Sequence, residues 1–406
     1  MKRIIVLVLI VYGSGLFATN DTVPAEPVKT GWNVGALPAV AFNSDEGFRY
    51  GALANLFYFG DGSTYPAYMH SIYLEWSRTT KGNGINNFFY DSPSLIPGTR
   101  TTVDVMYLTE QALDFYGFNG FEADYNPQRE DDQLADGSRM FYRLDRKLLR
   151  ITADFQRPFL HEDWKWLGGA ALFSQRIAPV DFESINDGLD TDEEANVIPT
   201  LYERYVDQGI IPDAISDGGK TFYLKAGLIH DTRDHLANPM KGMWTEGILI
   251  GAPGFMGNGD FGYLQGIFIH RHYFTLIPER LSVANRLGIQ GVIAGNMPWY
   301  MLPFIYSSYK TNDGFGGSKT VRGIRRNRVQ ADGIAYGNFE LRYKAVRFKV
   351  AGQNFYISTS AFADVATVVQ KHKIDYSATT LVESENPRPH WGTGLGLHIV
   401  MNENFV

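Results

Sequence analysis

Fourteen segments of alternating polar and apolar residues run through this chain, with turn signals between them. They cover residues 33–43, 48–59, 68–80, 84–91, 100–110, 139–159, 163–178, 219–231, 243–254, 262–277, 281–296, 334–348, 353–369 and 391–401. None shows the 3.6-residue period of a helix, and residues that alternate in this way point to opposite faces of a strand. The pattern predicts an all-β protein with about 14 complete strands.

Two segments show the alternation most clearly. In one, apolar Ile72, Leu74 and Trp76 oppose Ser71, Glu75 and Ser77; in the other, Leu149, Ile151, Ala153 and Phe155 oppose Arg150, Thr152, Asp154 and Gln156. A soluble β-sandwich and a membrane barrel both show this pattern, so alternation alone leaves the two folds open.

The lengths of the connections favour the barrel. Short connections at 60–63, 161–163, 278–280 and 351–354 interleave with long ones at 111–138, 179–218, 297–333 and 370–390. Short turns on one rim and long loops on the other are typical of an outer-membrane barrel. After the N-terminal 18 residues, no window is long and apolar enough for a transmembrane helix, so a closed barrel is the fold with which this chain would cross a membrane. The predicted fold is a transmembrane antiparallel β-barrel.

Composition excludes some partners. The chain has 406 residues, no cysteine and a net charge of −7. Absent cysteine removes any disulfide framework or thiolate metal site and suits a chain that crosses an oxidising compartment unfolded. The acidic balance argues against nucleic acid, because phosphate binding needs an extensive basic surface and the dense basic run is limited to residues 322–328.

The N-terminus predicts export. Lys2 and Arg3 precede an apolar run of about 14 residues, which is shorter than the roughly 20 that a membrane span needs. We assign residues 1–18 to a signal peptide, 19–31 to a short periplasmic linker and 32–406 to the barrel. The linker is too short for a periplasmic repeat domain, so we expect no client-handling arm ahead of the barrel in this chain.

One loop, residues 314–328, combines four glycines within ten positions with four arginines. Glycine permits backbone conformations closed to other residues, and guanidinium groups seek carboxylates. The two strand segments that follow place Glu340 and Asp364 on their polar faces, where each carboxylate is available to an arginine of the loop.

Four motifs resemble the BamA/TamA-type outer-membrane barrel superfamily, also called bacterial surface antigen barrels, and they come in that family's order. They are 231–239 (Asp-Thr-Arg-Asp-His-Leu-Ala-Asn-Pro), 321–323 (Val-Arg-Gly), 337–342 (Gly-Asn-Phe-Glu-Leu-Arg) and 361–364 (Ala-Phe-Ala-Asp). The resemblance implies that Arg322 and Gly323 fold into the barrel lumen, where Arg322 pairs with Asp364, with Glu340 as a second candidate acid. Ile324 departs from the Phe or Tyr that is usual after this motif.

The resemblance also implies a location and a function. It implies a non-enzymatic role in the insertion or translocation of proteins or lipids at the bacterial cell outer membrane, without a cofactor. Expected partners are outer-membrane lipid and unfolded barrel clients or a separate periplasmic protein. The alternative is a passive pore or a surface structural barrel. The family usually has about 16 strands, so a C-terminal hairpin is expected to be missing after residue 401.

Other motifs have simpler interpretations. Asp231, Arg233, Asp234, Asn238 and Pro239 are expected to form a periplasmic turn in which Arg233 pairs with an aspartate. His270 and His272 share a strand face, but no third metal ligand is suggested. Residues 314–320 lack the glycine that a phosphate-binding loop needs at 318. No residue set indicates catalysis.

Overall fold

The computed structural model describes residues 28–43, 47–65, 67–123, 125–235, 238–350, 353–374 and 388–401. The signal peptide predicted at 1–18 lies outside these residues, as does most of the linker predicted at 19–31. The segment 402–406, after which a hairpin is expected to be missing, lies outside them as well.

The fourteen predicted strands are confirmed and form one antiparallel sheet in which each pairs with its neighbours along the chain. They are β1 (Trp32–Asn43), β2 (Gly47–Tyr58), β3 (His70–Thr79), β4 (Gly84–Ile96), β5 (Thr99–Asp114), β6 (Arg143–Pro158), β7 (Trp164–Ala178), β8 (Gly218–Asp231), β9 (Gly242–Ala252), β10 (Tyr263–Ile277), β11 (Leu281–Gly295), β14 (Gly333–Val350), β15 (Gln353–Gln370) and β16 (His390–Met401). Two further short strands, β12 (Phe304–Ile305) and β13 (Asn312–Asp313), pair with each other between β11 and β14.

This meander separates the connections onto two rims. The short-turn rim holds residues 59–69, 97–98, 159–163, 232–241 and 278–280, whereas the long-loop rim holds 115–142, 179–217 and 296–332. The order of the sheet is linear, and within the described residues no ladder joins β1 to β16. Each of these two strands therefore presents an unpaired edge.

The inner face of the sheet is buried and carries charged side chains beside apolar ones such as Leu148 and Phe173. Along β6, Arg146, Arg150 and Asp154 are buried, while Ile151, on the opposite face of the same strand, is 38% exposed. This polarity is the reverse of a soluble protein, in which charged side chains are rarely buried. The reversal is expected of a membrane barrel, whose apolar face meets lipid and whose polar face lines the lumen.

Large apolar side chains are exposed on the outer face of nearly every strand. Examples are Leu74, Trp76, Leu224, Leu249, Phe268, Leu287, Phe339 and Leu341. A soluble monomer rarely exposes so extensive an apolar surface, because hydration of that surface is unfavourable. The outer face therefore excludes the soluble sandwich that alternation alone left open.

The long loops fill and cover the interior. Two short helices, α1 (Phe182–Asn186) and α2 (Leu201–Asp207), lie in the loop between β7 and β8, and a capping box at Thr200 and Glu203 begins α2. Phe115, Phe118, Tyr202, Tyr205 and Trp299 bring three loops together in one buried aromatic cluster. Among the described residues, no helix has the length and apolarity that a membrane span requires.

We predict that Leu224→Arg, in the middle of β8, lowers the free energy of unfolding in lipid vesicles by about 2–4 kcal/mol, because the side chain faces hydrocarbon. Leu224 is 49% exposed, and at such a site a soluble protein would change by no more than about 0.5 kcal/mol. The control is Val197→Arg, in the loop between β7 and β8, where Val197 is 73% exposed. Equal small effects in urea titrations of both variants would contradict a lipid-facing sheet.

Candidate functional site

The loop between β11 and β14, residues 296–332, folds into the interior of the barrel and is the candidate site. Its apolar side chains Phe304, Ile305, Tyr306, Phe315 and Val321 are buried. These side chains pack together with buried apolar residues of the wall, such as Phe173 and Tyr223. The loop approaches the wall at two tips, residues 307–310 and 320–324.

The first tip crosses most of the height of the barrel. Arg100, the second residue of β5, lies at the short-turn rim, and its guanidinium is 5.1 Å from the centroid of the Tyr309 ring. Arg100 also donates two hydrogen bonds to Asp91, at 2.8 and 2.7 Å. The Tyr309 ring packs edge-on against Phe89, with the centroids 5.5 Å apart. A loop that begins at the long-loop rim thus ends its first descent beside the opposite rim.

Amide side chains of the wall support this descent. Gln156 donates to the carbonyl of Ser308 at 2.8 Å, Gln175 to that of Tyr300 at 2.8 Å, and Gln290 to that of Phe304 at 2.9 Å. The carboxylate of Glu246 accepts hydrogen bonds from the backbone N–H and hydroxyl of Ser308. These contacts satisfy backbone groups that would otherwise be buried without partners.

An ionic cluster holds the middle of the loop. The guanidinium of Arg146, on β6, binds Glu110 of β5 and donates to Asp313 of the loop, with one N–O distance of 3.0 Å. Arg326 of the loop donates to the same Glu110 at 2.8 Å. Burial alone would raise the pKa of Asp313, but the charges of Arg146 and Arg326 hold that pKa below its ordinary value. Asp313 is therefore ionised at neutral pH.

The second tip carries the predicted residues. The structure brings Arg322, Asp364 and Glu340 together. Arg322 donates to Asp364 from its backbone N–H at 2.7 Å and from Nε and Nη2 at 2.9 Å each, while Nη1 binds Glu340. Asp364 is fully buried on β15, and Glu340 lies on the adjacent β14. One arginine thus joins the loop to two neighbouring wall strands through charge-assisted hydrogen bonds.

Neighbouring groups fix the path of this tip. The carbonyl of Thr320 accepts hydrogen bonds from Asn338 at 2.9 Å and from Arg286. The guanidinium of Arg322 lies over the ring of Phe362, 3.8 Å from its centroid. Gly323 has φ of +79°, a conformation that glycine adopts without steric cost.

The return of the loop is tied to the loop between β5 and β6. Arg328 donates to the carbonyls of Gly120 and Ala123 at 2.6 and 2.8 Å. Arg325 pairs with Glu130 at 3.1 Å, and the backbone N–H of Asn119 donates to Gln330 at 2.7 Å. The loop between β5 and β6 and the loop between β11 and β14 therefore form one packed unit.

The second predicted motif lies at the short-turn rim. Arg233 donates to Asp231 at 2.8 and 3.1 Å, and its guanidinium stacks on Trp244 at 3.9 Å. The Asp234 carboxylate accepts from the backbone N–H groups of Met240 and Lys241, and Asn238 contacts the Tyr356 hydroxyl on β15. Pro239 follows Asn238 in the same turn. These residues form a hydrogen-bonded turn at the short-turn rim. The loop that carries Arg322, about 90 residues later in the sequence, starts from the long-loop rim.

The remaining sequence motifs do not come together as a binding site within the described residues. His270 and His272 lie on the outer face of β10 with ring centroids 5.7 Å apart, and His270 contacts the hydroxyl of Thr245. Within the described ranges, no group of three or more histidine, aspartate or glutamate side chains is arranged to hold a metal ion. In the segment 314–320, the hydroxyl of Thr320 bonds to the backbone of Gly316, and no helix follows before β14.

Sequence reasoning missed the first tip. Residues 307–310, Ser-Ser-Tyr-Lys, carry no glycine or charge pattern that predicts a lumen contact. The signal available was indirect: Gln156, Gln175 and Gln290 stand at inward positions of three strands and need hydrogen-bond partners there.

Comparisons with known proteins agree with this architecture. A family model described as the Omp85 superfamily domain matches residues 70–402. Among solved structures, the chain is similar to BamA from Haemophilus ducreyi lacking POTRA domains 1-3, with 17% identity and a TM-score of 0.50; the match covers 91% of this chain and 64% of that one. It is also similar to CdiB from Escherichia coli, with 12% identity and a TM-score of 0.51, covering 91% of this chain and 56% of that one.

Both structural likenesses concern the fold, and this chain spans less than two thirds of either solved chain. A search of the curated proteins found no match. The family match extends over most of the described sheet, from β3 into β16, and confirms the resemblance that the four sequence motifs indicate. The chain therefore belongs to the Omp85 superfamily.

Proposed function

We propose that this chain is a non-enzymatic barrel of the bacterial outer membrane that takes part in the insertion or translocation of proteins. The observation that carries the proposal is the lumen lock, which we define as Arg322 and Gly323 of the loop together with Asp364 and Glu340 of the wall. In this lock, the loop is held by two paired wall strands, β14 and β15.

The location follows from family and surface together. Omp85 membership indicates the bacterial outer membrane, and the exposed apolar outer face supplies the surface that outer-membrane lipid would cover. Lipid is therefore the first proposed partner. We propose unfolded barrel proteins as clients, or a separate periplasmic protein that contacts the short-turn rim.

The interior acids favour a structural role over a catalytic one. Asp154 pairs with Lys225 at 2.8 Å, and Asp104 with Arg150 at 2.7 Å. General acid–base work requires a carboxylate within hydrogen-bond reach of a substrate proton, and a carboxylate that is buried against a cation of the wall is not placed for that contact. The lock acids are bound by Arg322 in the same manner.

The filled lumen favours assembly over passive conduction. The loop crosses the barrel from the long-loop rim to Arg100 near the short-turn rim, and wall side chains bond to it along the way. Ions need a continuous polar path through a barrel, and packed apolar side chains interrupt such a path. We therefore propose a closed resting state.

The lock is tested by removing its partners. We predict that Arg322→Ala destabilises the barrel by about 3–5 kcal/mol, because Asp364 is left buried without its guanidinium partner. Asp364→Ala should also destabilise it, by less, because Arg322 keeps its contact with Glu340. The double variant should lose less than the sum of the two, since both remove one interaction. Heat-resistant folded barrel on a gel and urea unfolding in detergent are the measurements.

The matched control for the lock is Arg347→Ala. Arg347 pairs with Glu279 at 3.0 Å on the exposed surface, where such a pair contributes about 0–1 kcal/mol. Wild-type stability in both the Arg322 and Asp364 variants would refute the lock.

The insertion role has a direct assay. In proteoliposomes, the wild-type protein should shorten the folding half-time of an added unfolded outer-membrane barrel relative to empty liposomes. Arg322→Lys should lose much of this effect while keeping the charge, because lysine cannot reproduce the bidentate contact with Asp364. If wild-type protein and empty liposomes give equal folding rates, the insertion role is wrong.

The pore alternative is tested by conductance. In planar bilayers we predict no steady ion conductance for the wild type, and measurable conductance for Tyr306→Ala combined with Tyr309→Ala, which removes one ring from the first tip and one from the residue just before it. Phe255→Ala is the control, because this residue is 89% exposed, outside the lumen, between β9 and β10. Steady conductance of the wild type would favour the passive pore.

A further inference from the structure

The second tip contacts a third strand through its backbone. In the ladder between β15 and β16, the residue opposite Asp364 is Gly392. The backbone of Arg322 and Gly323 lies directly on Gly392, so the side chain of Arg322 reaches β15 and β14 while its main chain rests on β16.

This contact leaves no room for a side chain. A Cβ atom at Gly392 would overlap the carbonyl oxygen of Arg322 and lie 2.9 Å from the Cα of Gly323. A Cβ atom at Gly323 would in turn lie 2.7 Å from the Cα of Gly392, and Gly323 has φ of +79°. The neighbouring atoms are backbone, which cannot rotate away as the end of a side chain can.

The next inward-facing glycine of β16 lies against the ring on which Arg322 packs. Gly394 stands opposite Phe362, and a Cβ atom there would lie 2.7 Å from the Phe362 ring. That ring is the surface on which the guanidinium of Arg322 stacks at 3.8 Å. The inward face of β16 is therefore flat where the lock lies, although its outward face carries Trp391, Leu395 and Leu397.

Strand propensity does not account for glycine at position 392. Glycine weakens a strand, and β-branched residues favour one. Two outward glycines on β9, Gly247 and Gly251, have open space where a Cβ atom would stand. Gly392 differs from them because its space is occupied by the loop.

We infer that Gly392 is a positioning residue of the lumen lock, and that the lock closes only when the residue paired with Asp364 on β16 carries no side chain. The inference rests on the proposed lock and adds a requirement on β16 to it. A side chain at position 392 holds Arg322 away from Asp364, because the carbonyl of Arg322 already occupies that space.

The test uses a single engineered thiol. The sequence has no cysteine, and Val321 is fully buried beside Arg322, so Val321→Cys reports release of the tip through its rate of maleimide labelling. In this background, Gly392→Ala and Gly392→Val should raise the labelling rate by about tenfold or more, the factor that corresponds to 1.4 kcal/mol. Asp364→Asn is the positive control for release.

Gly247→Val in the same background is the matched control. It makes the same change on an outward strand position with open space, so it should leave both labelling and heat resistance unchanged. If Gly392→Val does not yield folded barrel, Gly392→Ala carries the test, with far-UV circular dichroism and heat resistance showing that the sheet is intact.

The outcomes separate the two proposals. If Asp364→Asn exposes the engineered thiol but folded Gly392→Ala and Gly392→Val label at the rate of the Gly247→Val control, the role of Gly392 is wrong and the lock stands. If Asp364→Asn itself leaves the labelling rate unchanged, the lock fails first. Faster labelling in the Gly392 variants and in Asp364→Asn, but not in Gly247→Val, supports the inference, provided that the sheet is intact.

Discussion

The contact of one guanidinium with two wall carboxylates determines how the interior of this barrel is organised. Arg322 is brought in by a loop, while Asp364 and Glu340 are fixed on β15 and β14. A buried carboxylate without a partner would be strongly unfavourable, so Asp364 requires the loop to be inside, whereas Glu340 also pairs with Arg342 of its own strand at 2.8 Å. The loop in turn has its backbone groups satisfied only there, by Gln156, Gln175 and Gln290. Wall and loop therefore stabilise each other.

This mutual dependence explains why polarity is inverted across the sheet. Lipid requires an apolar outer face, and strand geometry then leaves the alternate residues for the inside. The inner face also carries apolar side chains, since Phe173 and Tyr223 are buried on β7 and β8. The loop between β11 and β14 packs its aromatic side chains against them: Phe304 contacts Phe173, and Tyr306 contacts Tyr223. The core of the molecule is thus shared by the loops and the inner face of the sheet.

Period-two alternation was enough to predict all fourteen strands, because it is a local property of each segment. The loop and its candidate acids were indicated by a local signal as well, since glycines and arginines in one loop precede acids on two polar strand faces. The pairing of Arg322 with Asp364 was an implication of the family resemblance. The descent of residues 307–310 and the contact at Gly392 depend on groups from distant strands. No local pattern encodes such a path, and the glycines of β16 indicate only a flat face until the loop is seen to lie on it.

The two tips of the loop differ in how they can respond to a change on β16. The descent that ends in the first tip is held by three amide side chains and one carboxylate of the wall, Gln156, Gln175, Gln290 and Glu246. The second tip is held by charged groups and by a backbone contact with β16 itself. A side chain at position 392 would therefore press on the second tip and leave the hydrogen bonds of the descent in place. In the proposed lock, Arg322 can then leave Asp364 while the rest of the loop stays in the lumen.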